Sequence, residues 1–427
     1  VKVSDPVRDL FDAKPEMARC PHLAYVSMRR QAAPQWIERI QAYALTRYED
    51  IVEVLRAPEK FSSVMASGPG SVTPLARKLV ADPDTGPALR AKAQRRLDIS
   101  ASAVLLNADP PVHKRQRKLV NQAFTARRVL AMEPGVERLA NELIDAVIDD
   151  GRAEMVSQFS VLLPMTVIAD ILGVPAEMHP TFKRWSDAFV AGTGSMNLSD
   201  EAVAEMFDAV DEFYDYFTEQ IERRRKHPTD DLLSAVVNAR IDGETPLTQN
   251  EILQMLVQFL VAGNETTTSL LTSVMFTLLT NPELAAAVRA DLDLVPKVVE
   301  EVLRLESPVQ GIFRTANEDV EIGGVTIPKG TNLYLVYGSG NRDEQAFHDP
   351  DRLLVDRASE GPHLAFGKGE HFCLGAPIAR LETRVGITTW LRRTKEITLD
   401  IDPDDVEYLP SFAQHGIVRL PLRFTPA

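Results

Sequence analysis

Phe366-Gly367-Lys368-Gly369-Glu370-His371-Phe372-Cys373-Leu374-Gly375 is the stretch on which the reading of the chain turns. A thiol stands between a glycine-punctuated turn and an apolar helix expected over Leu374 to Thr394. Free backbone N–H groups at a helix N-terminus, with the helix dipole, favour a thiolate placed there. Gly367 and Gly369 permit a tight turn around the sulfur. Gly375, lacking a side chain, lets something flat and bulky lie against the helix. A lone cysteine is more often a small buried hydrophobe, but the glycines around Cys373 argue for a ligand.

Upstream, Thr248 with Glu251 three residues on makes a capping box, and Asn281-Pro282 makes a stop. The helix between them, Gln249 to about Thr280, would span over about 40 Å at ~1.5 Å per residue. Its middle reads Ala262-Gly263-Asn264-Glu265-Thr266-Thr267. Glycine and consecutive β-branched residues weaken helical continuity, and an inserted side chain or water would give a local bulge. Further on, Glu301-Val302-Leu303-Arg304 sets opposite charges on one helix face. Such a pair is usually a solvated bridge worth little.

Around these segments the chain is ordinary in composition. It has 427 residues, 44% hydrophobic and 25% charged, with 47 basic against 61 acidic residues and a net charge of −14. That balance argues against nucleic-acid or anionic-membrane binding over the whole surface while allowing a local basic face. Two cysteines, Cys20 and Cys373, cannot supply a disulfide framework, which favours a reducing cytosol. The start, Val1 to Pro6, lacks a signal peptide's apolar run, and no stretch reaches the ~18 apolar residues of a membrane span. The expectation is a cytoplasmic protein with no membrane and no nucleic-acid partner.

Apolar spacing of three to four predicts helices over Pro110 to Phe124, Gly135 to Ile148, Ser157 to Leu172, Met178 to Ala191, Glu201 to Arg225 and Val295 to Glu306. Pro164 implies a kink or a late start in the third. Trp36 to Ile40 and Ala42 to Thr46 alternate like a hairpin, and Val320 to Ile327, Leu333 to Tyr337 and Ile417 to Phe424 read as strands. Ser62 to Asn107, mixed and rich in Gly, Pro, Ser and charge, reads as a long surface excursion. The fold class is mainly α with a smaller β region (α+β), without βαβ alternation. No linker divides the chain, so one domain over 1–427 is expected, α-rich at 108–307 and β-containing at 30–62 and 308–427.

The cysteine segment strongly resembles the haem-binding loop of the cytochrome P450 family, and the other segments agree with it. The resemblance runs from about Trp36 to the C-terminus. It implies the P450 fold, in which the long central helix and the cysteine loop sandwich haem b (iron protoporphyrin IX). Cys373 is then the axial iron ligand, with Phe366 near the sulfur and Gly375 against the ring. Asp109 to Arg117 resembles the propionate helix, so that His113 and Arg117, together with Arg314 and His371, would meet the propionates. Glu265 and Thr266 match the acid–alcohol pair that relays protons to dioxygen. Glu301 and Arg304 match a buried structural pair, joined by an arginine from the later meander, for which Arg352 in Asp349-Pro350-Asp351-Arg352 is the match.

Such a protein is a soluble bacterial-type monooxygenase, inserting one atom of O2 into an apolar small molecule: a terpenoid, fatty acid, steroid or aromatic. No flavin or nicotinamide signature occurs in these residues, so electrons are expected from an external ferredoxin and its reductase. Lys114, Arg115, Lys118, Arg127, Arg128 and Lys368 are the basic residues expected to steer that acidic donor. The family's pocket segments carry over to Phe259, Val261 and Ala262, to Val309, Gln310, Ile312 and Phe313, and to Phe412 and Ala413. Phe189 and Val190 are expected in the access lid.

Three other readings compete. Cys20-Pro21-His22 and His371-Phe372-Cys373 could hold zinc, but one intervening residue strains tetrahedral closure. A peroxide-driven peroxygenase of the same fold would generally lack the acid–alcohol pair. A non-catalytic haem-binding sensor would have no use for it.

Overall fold

The Thr248 N–H donates to Glu251 Oε2 at 2.8 Å, and the Glu251 N–H donates to Thr248 Oγ1 at 3.2 Å. This reciprocal cap opens a helix running Gln249–Thr280, and Asn281, with non-helical φ −128° and ψ 80°, ends it before Pro282 begins the next. The helix is α-helical throughout, so the bulge expected near Gly263 is not seen as a change of helix type.

These features come from a computed structural model that describes residues 5–68, 72–191, 200–357 and 361–427, excepting the side chains of 72–74, 190, 191 and 200. The chain divides into two compact units, and one of the four points where it passes between them falls inside the long helix, between Gly263 and Asn264.

One unit comprises 1–62, 126–164 and 264–427. Its mixed sheet has the strand order Gln35–Ile37, Ala42–Leu45, Asn332–Leu335, Ile312–Ala316, Phe61–Ser62. Ala42–Leu45 pairs antiparallel with Gln35–Ile37 and parallel with Asn332–Leu335, Ala42 standing opposite Asn332. Leu45, Leu333 and Leu335 face a core shared with Ile51, Val52 and Leu55 of the helix Tyr48–Arg56. A second sheet joins Arg152–Glu154, Pro421–Pro426 and Thr394–Leu399. The helix Val295–Glu306 presents its Glu and Arg inward, and Ala376–Arg393 follows the cysteine loop.

The other unit comprises 63–125 and 165–263. Ser62 to Asn107 is no open loop. It holds the helices Val72–Ala81 and Pro87–Ile99, whose Ala76 and Ala93 are buried against Val203, Met206 and Phe207 of Asp200–Lys226. Leu75, Leu79, Val80, Leu89 and Leu97 pack against the same cluster, and the neighbouring charges of Arg90, Lys92, Arg95 and Arg96 mask their spacing. Pro164 falls in the first α-turn of Leu162–Ile171, directly after a π-helical turn over Val156–Ser160; the expected helix begins near Ser157, but its regular α part starts only at Leu162. No single helix among the described residues is long and apolar enough to cross a membrane.

Candidate active site

The cysteine loop is a closed local structure. Gly367 and Gly369 take φ of +68° and +72°, a region costly for side-chain-bearing residues. A Cβ on Gly369 would lie 2.5 Å from the Leu55 carbonyl oxygen. The Cys373 N–H donates to Phe366 O at 2.9 Å, pinning the two ends of the turn together. Gly375 caps the helix Ala376–Arg393, and a Cβ there would stand 4.0 Å from the Cys373 Sγ. Cys373 and Phe372 are both exposed, although cysteine ranks among the residues most often buried.

Phe366 is braced from behind. The Arg380 guanidinium lies 4.6 Å above its ring and bonds Glu300 through Nε at 2.6 Å and Nη2 at 2.9 Å. His363 Nε2 is 3.2 Å from the same carboxylate. Burial alone would raise Glu300, but His363 and Arg380 more than offset it and hold the group at about 2, against an ordinary 4.5. A depressed folded value means stability present above about pH 4.5 and lost as pH falls towards 2. Glu300→Gln is therefore expected to flatten the fall in melting temperature between pH 4.5 and 2, an effect seen by scanning both proteins across that range. Neither Glu300, His363 nor Arg380 was legible in the sequence. Their partners lie 63 and 80 residues apart, and no motif links them.

The Glu-x-x-Arg pair is buried and doubly bonded. Arg304 Nε and Nη2 donate to Glu301 at 2.9 and 3.0 Å, while Arg304 Nη1 reaches Asn341 O at 2.9 Å and Pro350 O at 2.6 Å. The third member is Arg357, not Arg352. Arg357 Nε stands 3.2 Å from Glu301, with its side chain only 6% exposed. The Arg352 side chain is 72% exposed and pairs with Asp349. What Arg352 contributes is its carbonyl, which accepts from Arg304 and from Arg357 at 3.0 Å each. The meander uses the backbone at 352 and the side chain five residues later.

On the long helix, Glu265 and Thr266 are half-buried. Gln414 Nε2 donates to Glu265 Oε2 at 2.9 Å, and Gln414 is itself fixed by a bridge to Val309 and by Ser411 Oγ accepting its N–H at 3.2 Å. Of the neighbouring hydroxyls, Thr268 donates to Ser160 O at 2.9 Å, while Thr267 is buried at 2%. Arg314 is buried and donates to Phe313 O at 2.8 Å. His371 sits one residue before the loop's Phe372, its Nε2 3.7 Å from Glu370.

In the other unit, His113 and Arg117 lie one turn apart on Val112–Asn121, His113 buried and Arg117 half-buried. The basic face there is smaller than the sequence implies. Arg115 is spent on Glu251 and on Thr245 O at 2.9 Å, and Lys118 pairs with Glu244 at 2.8 Å. Lys114 remains exposed.

The structure sorts the expected pocket residues. Gln310 is 3% exposed, and its amide is used up: Tyr25 OH donates to its Oε1, and its Nε2 donates to Glu306 O at 2.7 Å and Ser307 O at 2.6 Å. It is a clamp in the core, with nothing left for a ligand. Phe313 belongs to the core beside Tyr334, rings 4.8 Å apart, and Phe189 packs on Phe213 at 5.1 Å. Val309, Ile312, Phe412 and Ala413 are half-buried, as are Phe259 and Val261, while Ala262 is exposed. Phe259 meets Phe124 edge-on at 5.3 Å. A Cβ on Gly263 would meet nothing within 4 Å. The Val190 side chain lies outside the described residues.

Comparison with known proteins gives one family. The model for "Cytochrome P450" matches residues 47–424. The chain is 36% identical over 422 residues to cytochrome P450 107B1 of Saccharopolyspora erythraea, covering 98% of each. It is 40% identical over 316 residues to the 6-deoxyerythronolide B hydroxylase of the same organism, covering 74% of this chain and 76% of that one. The solved structure of CYP109Q5 from Chondromyces apiculatus superposes with a TM-score of 0.83 at 38% identity, covering 97% of this chain and 98% of that one.

Proposed function

The chain belongs to the cytochrome P450 family and is a haem b monooxygenase with a cysteine thiolate ligand, and from that premise we propose that Cys373 is the ligand. The observation carrying this is that only Cys20 and Cys373 are available and Cys20 lies outside the matched residues. An exposed thiol, held by a closed loop with glycine beside the sulfur, fits a flat ring laid on that face. Bound there, haem supplies dioxygen activation, the thiolate favouring O–O cleavage.

The chain's own residues do the rest. His113, Arg117, Arg314 and His371 hold the propionates, and Phe366 packs by the sulfur. Glu265 passes protons from solvent towards the Thr266 hydroxyl, a task suited to a half-buried carboxylate fixed by one amide. Phe259, Val261, Ala262, Val309, Ile312, Phe412 and Ala413 border an apolar substrate: a terpenoid, fatty acid, steroid or aromatic. Electrons arrive from an external ferredoxin and its reductase, and Lys114 with Arg127 supplies the exposed cations for an acidic donor. The whole chain acts as one domain, a reading supported by a single family model spanning both compact units.

Thr266→Ala is expected to divert reducing equivalents from product to hydrogen peroxide, cutting coupling about tenfold. Gln414→Ala should give a smaller loss, because it loosens the Glu265 carboxylate without removing it. Measuring product against nucleotide consumed decides this, and unchanged coupling in Thr266→Ala would overturn the relay. Turnover with hydrogen peroxide matching that with ferredoxin would instead favour the peroxygenase.

A further inference from the structure

Arg96, on the helix Pro87–Ile99, is a buried cation that meets no carboxylate among the described residues. It is 7% exposed, and its Nε and Nη1 are buried without a hydrogen-bond partner. Its guanidinium lies over the rings of Phe189 at 6.0 Å and Tyr214 at 5.7 Å. Four other buried arginines stand in contrast. Buried Arg29, Arg224, Arg304 and Arg342 meet Glu344, Asp231, Glu301 and Asp351 at 3.3, 3.0, 2.9 and 2.9 Å. On the same helix, Lys92 pairs with Asp208 and Arg95 with Asp211 and Asp215, on the outside of the Asp200–Lys226 helix. Acids are thus plentiful on the neighbouring helix, yet among the described residues none meets Arg96.

An ion taken out of water without a counter-ion costs several kcal/mol. Cation–π contact with two rings returns only part of this. Burial lowers Arg96 to about 10, with no carboxylate acting on it, so it remains charged near neutrality. A guanidinium walled by aromatic faces matches a planar monoanion, which it can grip with two parallel N–H bonds. Leu89, Leu97 and Ala188 join Ala93, Met206 and Phe207 in the adjacent apolar cluster, so the rest of the ligand is apolar.

We infer that Arg96 anchors the carboxylate of an apolar carboxylic acid, which is the substrate class. The inference rests on the pocket reading above, and the anchor's Tyr214 is tied to the long helix: Gln254 Nε2 donates to Tyr214 OH at 3.3 Å. Val261 and Ala262 follow Gln254 by about two turns, or ~10 Å.

The test is titration of the full-length haem-loaded enzyme with hexadecanoic acid, hexadecanol and a tetracyclic carboxylic acid, followed by the spin-state absorbance change and by melting temperature. Hexadecanoic acid is expected to bind at least tenfold tighter than hexadecanol. Arg96→Met, which keeps the volume and removes the charge, should erase that preference, leave hexadecanol affinity unchanged and melt higher than wild type without ligand. Whether the tetracyclic or the linear acid binds tighter tells a steroid or terpenoid acid from a fatty acid, and Arg96-dependent binding of either supports the anchor. Equal affinity for acid and alcohol in wild type, or a preference that survives Arg96→Met, overturns it while leaving the proposed function intact. Acid-dependent, Arg96-dependent gain in melting temperature with no absorbance change by any ligand supports the anchor and overturns the pocket reading instead.

Discussion

Cys373→Ser is expected to abolish the red-shifted Soret band of the ferrous carbon monoxide complex and to lower product formation by two or more orders of magnitude, at least about 2.7 kcal/mol in barrier. Serine preserves the loop: the backbone bond from residue 373 to Phe366 O and the Gly375 cap need no sulfur. What changes is the donor. An alkoxide is far harder to form and less polarizable than a thiolate, so the electron push that favours O–O cleavage is lost. Cys20→Ser is the matched control and should keep the band. Absorbance of the carbon monoxide complex, read on folded material of both variants, checks the assignment; a retained band in Cys373→Ser would reverse it.

The second large effect concerns stability. Glu301 is gripped by Arg304 and Arg357 with all three side chains at 7% exposure or less. Leu354 N–H adds a bond at 2.9 Å. Removing one member leaves charge buried without its full complement, at a cost of about 3–5 kcal/mol. Arg357→Ala should therefore give little haem-loaded protein or a marked fall in the urea midpoint. Arg352→Ala, five residues away, should change stability by within about 0.5 kcal/mol. Its carbonyl, which does the bonding, survives substitution. Equal losses in the two variants would contradict this geometry.

That comparison also marks where sequence reading stops. Glu301 and Arg304 were legible because one turn of helix sets their spacing. The meander has no period, so nothing local distinguishes the guanidinium at 357 from the one at 352. The long helix was legible at both ends because its cap and its Pro stop are local chemistry. Gln414 was not, since its bond to Glu265 joins residues 149 apart. Ser62 to Asn107 misled for a different reason: the apolar stripes of its two helices, Leu75, Ala76, Leu79 and Val80 on one and Leu89, Ala93 and Leu97 on the other, are short and set among basic residues, Gly, Pro and Ser. Phe189, Gln310 and Phe313 show the same limit in the pocket. Motif position brought them near, but only packing could reveal that their side chains turn into the core.

The parallel pairing of Ala42–Leu45 with Asn332–Leu335 bears on biosynthesis. About 290 residues separate the partners, which at typical translation rates of 5–20 residues per second is roughly 15–60 s. Until the later strand leaves the ribosome, the earlier one has only the short hairpin partner Gln35–Ile37. Nascent chains thus carry an unsatisfied sheet edge through most of elongation, a window in which chaperone capture, expression temperature and codon usage govern the yield of intact enzyme.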